Sequence, residues 1–96
     1  MRNFFLVSYD ISDDKRRSRI ARLMLGYGER IQQSVFCCQL NKREMLRLQE
    51  EIKQLIHHAD DQVLFLNAGA VIGYNPLPEF QYIGRTWKPE TRAQIV

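Results

Sequence analysis

The stretch FFLVSYDI, Phe4 to Ile11, decides how the rest of the chain is read. Strand side chains alternate between two faces, so Phe5, Val7, Tyr9 and Ile11 share one side. Phe4 and Leu6 make the other side apolar too, until Ser8 and Asp10 follow them. A strand apolar on both faces is ordinarily covered on both. Helices are therefore expected on one face and a second chain on the other. Beyond the strand lie a polar joint, Ser12-Asp13-Asp14, and a burst of positive charge, Lys15-Arg16-Arg17.

The spacing predicts a first helix from about Asp13 to Leu25, capped by Ser12 or Asp13. Ile20, Leu23, Met24 and Tyr27 form its apolar stripe. Lys15, Arg19 and Arg22 share the opposite face, and Arg16 and Arg17 flank the stripe near the helix start. Three cations in a first turn oppose the helix dipole at a cost of about 0.3–1 kcal/mol each before screening. An i,i+4 pairing of Asp13 with Arg17 offsets about 0.2–0.5 kcal/mol of this. Gly26-Tyr27-Gly28 ends the helix, with glycine available for a left-handed cap. Glu29 to Leu40 is extended, as one bent strand or as two short strands joined at Gln33-Ser34; neither parity is cleanly apolar, so periodicity leaves both open.

Asn41 caps a second helix, with Glu44 completing a capping box. Met45, Leu48, Ile52, Leu55 and Ile56 form its buried stripe, and Arg47 and Glu51 are placed to pair. The helix should stop near His57-His58, whose side chains point in different directions and read as dipole partners or solvated groups rather than metal ligands. Gln62 to Ala68 is a strand apolar on both faces, Asn67-Ala68-Gly69 turns the chain, and Ala70 to Tyr74 is a short strand or irregular. Asn75-Pro76-Leu77-Pro78 is a loop, and Phe80 to Gly84 a short last strand. Residues 85–96 form a basic tail with the chain's one tryptophan, Trp87, which either docks on a partner or caps the protomer's own core. This order fits one domain over 1–96: an α+β, ferredoxin-like antiparallel sheet with two helices on one face. The uncovered face should pack on its twin in a symmetric homodimer.

Ninety-six residues at 45% hydrophobic content suit one modest core. No apolar run reaches the roughly 18 residues of a membrane span, and no signal-type segment precedes the first strand, so a cytoplasmic protein is expected. The net charge is only +3, but Lys15, Arg16, Arg17, Arg19, Arg22 and Arg30 fall within sixteen residues. Such clustering marks either a phosphate-binding face or a solvated helix face. Cys37 and Cys38 are adjacent, with neither zinc spacing nor a disulfide framework; they read as buried thiols in a reduced compartment.

No phosphate-binding glycine loop, no H-E-x-x-H and no serine with a nearby histidine is present. What remains is Asp10 at a strand end, two more acids, and arginines around them. A carboxylate that holds a hard cation, flanked by arginines, suits phosphodiester chemistry: Mg²⁺ takes one or two carboxylates plus waters and phosphate oxygens. One carboxylate is a poor site, but two copies of Asp10 meeting across a two-fold axis would make a composite one. The alternative is that Asp10 is the polar end of a strand, capping the turn into the helix.

The run VSYDISDDKRRSRIARLM, followed by GERIQQSVFCCQL, resembles the small CRISPR-associated spacer-acquisition proteins, the "Cas-two" family. The resemblance rests on Tyr-Asp-Ile closing the first strand, an arginine-bearing helix after it, and then Gly-x-Arg-x-Gln-x-Ser-Val-Phe. It covers Phe4 to Leu40; the remainder matches in order and length. It implies a ferredoxin-like homodimer with Asp10 near the two-fold, a hairpin of Glu29–Gln32 and Val35–Leu40, and a last strand that adds to the partner's sheet. The implied role is a scaffold in spacer acquisition that holds prespacer DNA between integrase subunits. Some family members are metal-dependent endonucleases on RNA or DNA. By position, Asp10 would be the catalytic residue and the ligand of Mg²⁺, or of Mn²⁺. Tyr9, Arg17, Arg19, Arg30 and Phe36 match positions tied to activity or substrate binding; Lys15, Arg16 and Arg22 join them as candidate nucleic-acid contacts. Ser34 reads as structural, and the tail can contact the integrase. Cys37 stands where the family commonly has an acid, a departure that bears on activity. Two rival functions share the architecture: a toxin-like ribonuclease and a non-catalytic interaction module.

Overall fold

The computed structural model describes residues 1–73 and 78–87. Six elements follow in the order β1 (Asn3–Asp10), α1 (Asp14–Leu25), β2 (Gly28–Gln32), β3 (Val35–Leu40), α2 (Lys42–Leu55) and β4 (Gln62–Ala70). The strands form one antiparallel sheet in the order β2-β3-β1-β4. This is the ferredoxin-like arrangement, and β1, the strand richest in apolar residues on both faces, takes an interior place. None of the helices among the described residues is long and apolar enough to cross a membrane.

The alternation in β1 sorts the molecule into two sides. Val7, Tyr9 and Ile11 join Phe36, Cys38 and Leu40 of β3 beneath the helices, where Ile20 and Met24 of α1 and Leu48 and Ile52 of α2 meet them. Burying a side chain of this size contributes about 1.5–3 kcal/mol. On the other side, Phe4 of β1, Ile31 of β2 and Cys37 of β3 form a smaller cluster, joined by Leu6, Val71 and Phe80.

The helix starts are held differently. Asn41 and Glu44 make the reciprocal capping box, at 2.8 and 2.9 Å. In α1 the cap is Asp13, whose carboxylate accepts the Arg16 N–H at 2.9 Å. The expected Asp13–Arg17 pair is replaced by Asp14–Arg17, because the capping hydrogen bond commits Asp13 to the backbone. Glu51, expected to meet Arg47, instead accepts the Tyr27 hydroxyl from across the helix pair. At the far end of α2, a His58 ring nitrogen lies 3.2 Å from the Lys53 carbonyl, so this histidine serves the helix terminus, while the His57 ring lies 3.3 Å from Asp60 in the turn that follows.

Three expectations change. No left-handed cap closes α1: Gly26 is right-handed, at φ −80°. The glycine that matters is Gly28, where a Cβ would stand 2.4 Å from the Cys37 carbonyl oxygen and 2.6 Å from the Cys38 sulfur. Asn67-Ala68-Gly69 does not turn the chain; it is a bulge in a longer β4. Asn3 pairs with Ala70 and Phe5 with Asn67, so β4 carries one extra residue there, eased by Gly69 at φ 102°. The Asn67 side chain accepts the Gly69 N–H at 2.9 Å, which makes a local turn-like signal inside a strand. Finally, Phe80–Gly84, expected as a short last strand, is not in strand conformation within the single protomer. The loop at 74–77, and the tail beyond Trp87, lie outside the described residues.

Candidate functional site

β1 delivers Asp10 to the edge of the open face. Tyr9 points under the helices, so Asp10, one residue on, points away from them and is exposed. Its register partner is Gln62, and the same face of β4 carries Leu64 and Leu66, each 58% exposed. A carboxylate thus stands at the margin of an uncovered apolar surface. Among the described residues no group of three or more histidine, cysteine or acidic side chains is placed to hold a metal ion. Asp10 offers a hard cation one exposed carboxylate. Donor type suits Mg²⁺, which takes one or two carboxylates plus waters and phosphate oxygens, and a second copy of Asp10 would complete the pair.

The joint after Asp10 is built by the arginines of α1. The Arg16 guanidinium donates twice to Asp61, Nε to Oδ2 at 2.7 Å and Nη2 to Oδ1 at 3.1 Å. The Asp61 side chain is wholly buried and also accepts the His57 N–H at 2.8 Å. The paired guanidinium, with that N–H, holds the Asp61 carboxyl below its ordinary range. Arg17 Nη1 donates to the Ile11 carbonyl at 2.8 Å, and Nη2 to Asp14. Both arginines thus clamp the strand-to-helix turn and the start of β4, which lies beside Asp10. Asp61 escaped the sequence reading. Its partner is 45 residues away, and nothing local distinguishes it from Asp60.

Two further candidates lie elsewhere than expected. Tyr9 and Phe36 belong to the core, at 5% and 0% exposure, and do not present themselves to a ligand. They stack on each other, with ring centres 6.3 Å apart, and support Arg30. The Arg30 guanidinium lies 5.1 Å from the Phe36 ring centre and donates to the Tyr9 hydroxyl at 3.4 Å. That hydroxyl donates in turn to the Gln33 carbonyl in the β2–β3 turn, at 3.3 Å. The outer face of α1 keeps its exposed cations, Lys15, Arg19 and Arg22. The charge run therefore divides by job. Arg16 and Arg17 fasten the joint, Arg30 rests on aromatic rings, and the other three face solvent.

Cys37 lies on the open face between Leu6 and Glu29 in the ladder. Burial, and then the Glu29 charge, push its thiol up to about 11; Cys38, on the helical face, is pushed up to about 12 chiefly by burial. Neither thiol is disposed to ionise, and Cys37 serves as a packing residue of the smaller cluster.

Comparison with known proteins agrees with this geometry. The family model "CRISPR associated protein Cas2" matches residues 2–70. The chain is 33% identical over 96 residues to the CRISPR-associated endoribonuclease Cas2 of Geobacter sulfurreducens, covering 100% of this chain and 99% of that one. A crystal structure of a hypothetical protein from Thermus thermophilus superposes with a TM-score of 0.72 at 36% identity, over 82% of this chain and 100% of the other. A chain from a structure described as a "Partial Cas6-RT-Cas1--Cas2 complex" does so with a TM-score of 0.60 at 27% identity, over 83% and 100%. Sequence and fold together establish that the chain belongs to the Cas2 family of CRISPR-associated proteins.

Proposed function

We propose that the chain works in CRISPR spacer acquisition as a homodimeric, nucleic-acid-binding scaffold for the integrase, and that Asp10 gives it a divalent-metal-dependent nuclease activity. One observation carries the reading: an uncovered apolar sheet face ends at an exposed carboxylate, while three exposed cations occupy the outer side of the adjoining helix. The name of the Geobacter relative supports the nuclease, and the structural neighbour found within a Cas1–Cas2 complex supports an integrase partner.

In this reading two open faces meet, bury Leu64 and Leu66, and bring the two Asp10 carboxylates together. Mg²⁺ or Mn²⁺ held there would supply an activated water and neutralise charge on the phosphate. The Arg16–Asp61 and Arg17–Ile11 contacts hold the backbone that carries Asp10, which limits how far the carboxylate can drift. Lys15, Arg19 and Arg22 bind the polyanion. The Cys37 thiol, held neutral, leaves the chemistry to Asp10.

The test joins three measurements on the wild-type dimer and on Asp10→Asn. Sedimentation should give a dimer for both. Cleavage of an RNA or DNA oligonucleotide with Mg²⁺ should fall on the order of a hundredfold or more in the variant, as when one preorganised electrostatic group is lost. Duplex binding should weaken with salt, and each of Lys15, Arg19 and Arg22 removed should lower the log–log slope by about 0.9. A monomer at working concentrations, undiminished cleavage by Asp10→Asn, or salt-indifferent binding would each remove one part of the reading.

A further inference from the structure

The acids around the strand-to-helix joint differ in what they are committed to. Asp13 accepts the Arg16 N–H, Asp14 takes the Arg17 guanidinium, and Asp61 takes the Arg16 guanidinium together with the His57 N–H. Asp10 has no hydrogen bond or ion pair among the described residues. Across the ladder from it stands a second uncommitted polar group. Gln62, the first residue of β4, is the register partner of Asp10, and its amide likewise has no partner among the described residues.

Opposed residues of an antiparallel pair send their side chains to the same face, with Cβ atoms roughly 4.5–5.5 Å apart. The next pair inward, Tyr9 and Val63, belongs to the helical side, which puts Asp10 and Gln62 on the open side. Both are exposed. At that spacing the longer glutamine side chain covers the reach of the Asp10 carboxylate. An amide NH₂ can donate to one carboxylate oxygen and leave the other for a hard cation, while the amide oxygen can accept from a metal-bound water. Ligating carboxylates are themselves ordinarily hydrogen-bonded, and that contact fixes their orientation. A neutral amide does so without adding negative charge that would repel a phosphate.

We infer that Gln62 is a positioning residue of the Asp10 site: its amide donates to one Asp10 oxygen and directs the other toward a divalent cation. The inference rests on the Asp10 reading proposed above, and it adds a residue that only the strand register brings to the site. The pair is set by β1 and β4 of one protomer, so a strand added along the β4 rim leaves it in place.

The experiment titrates Mn²⁺ into the full-length dimer without nucleic acid and reads free Mn²⁺ by its electron paramagnetic resonance signal. Asp10→Asn should lose the binding. Gln62→Met keeps the side-chain length and removes the hydrogen bonds; it should weaken Mn²⁺ binding about 10–100-fold, the usual cost of removing a group that orients a metal ligand. Gln62→Glu sets a second carboxylate beside the first and should bind Mn²⁺ more tightly than the wild type. Without metal, both Gln62 variants should unfold in urea at the wild-type midpoint. Wild-type affinity in both Gln62 variants, with Asp10→Asn still defective, would overturn the inference and leave the Asp10 reading standing. Equal losses in Gln62→Met and Gln62→Glu, with lowered urea midpoints, would assign Gln62 to stability and overturn it too. Mn²⁺ binding by Asp10→Asn equal to that of the wild type, or none by the wild type, would overturn both.

Discussion

The two faces of one sheet differ more than their sequences do. Under the helices, Val7, Tyr9, Phe36, Cys38 and Leu40 are sealed by Ile20, Met24, Leu48 and Ile52. On the other side Phe4, Ile31 and Cys37 reach burial, yet Leu64 and Leu66 stay mostly exposed and the strand runs out into Ser8 and Asp10. β1 supplies apolar residues to both. What separates the faces is where the helices went. Both helical stripes were spent on one side, so the other is left to be completed from outside the protomer. The sealed side accounts for the fold, and the unsealed side carries the residue on which the proposed chemistry depends.

That contrast can be broken or sharpened. The largest effect belongs to Phe36→Ala, which should cost about 3–5 kcal/mol of unfolding free energy in urea. A cost near that of a surface change would mean that the helical face is not the principal core. The adjacent cysteines report the faces separately. With Cys37 pushed from 9.0 to about 11 and Cys38 from 9.0 to about 12, their thiolate fractions near pH 8 fall about a hundredfold and about a thousandfold. A thiol reagent followed by peptide mapping should therefore label both slowly in the fold and both at once after unfolding. Fast labelling of Cys37 in the folded chain would show the smaller cluster open, and fast labelling of Cys38 the helical core open.

Leu66→Asn should raise the dimer dissociation constant about tenfold or more, as truncating an interface anchor does, with little change in protomer unfolding. If it destabilises the protomer as Phe36→Ala does, Leu66 belongs to a closed core and the contrast fails. The smallest effect is on the acid limb of stability. Asp13, Asp61 and Glu44 titrate below their ordinary values of 3.8, 3.8 and 4.5 in the fold. The unfolded chain therefore takes up protons first as pH falls, and stability is present above those values and lost progressively below them. Asp61→Asn should lower stability at neutral pH and flatten that acid loss; an unchanged acid limb in urea titrations at several pH values would show that the Arg16 clamp contributes nothing.

How far the sequence could be followed depends on the range of each interaction. The capping box of α2 was legible because Asn41 and Glu44 are three residues apart and need no tertiary partner. The β1 faces were legible because alternation is local. The β2–β3 hairpin was not separable from a bent strand, since Ile31 is the extra residue of a bulge between the Arg30 and Gln32 pairings, and a bulge disrupts strict alternation. Asn67-Ala68-Gly69 carried a genuine turn signal that the sheet absorbed as a bulge. The site divides likewise. Asp10 was visible as a strand-end acid, but the fastening of Arg16 to Asp61 and the withdrawal of Tyr9 and Phe36 into the core are products of packing between distant segments.

Both outermost strands, β2 and β4, are irregular: one has an extra residue at Ile31 and the other near Gly69. A flat, regular rim would invite copy after copy to line up alongside it and grow into a fibre. Kinked rims leave short straight runs, Gln62 to Asn67 on β4 and Gly28 to Arg30 on β2, where another backbone could align. Growth is thereby confined to a finite complex, a useful restraint for a protein that leaves so much oily surface bare.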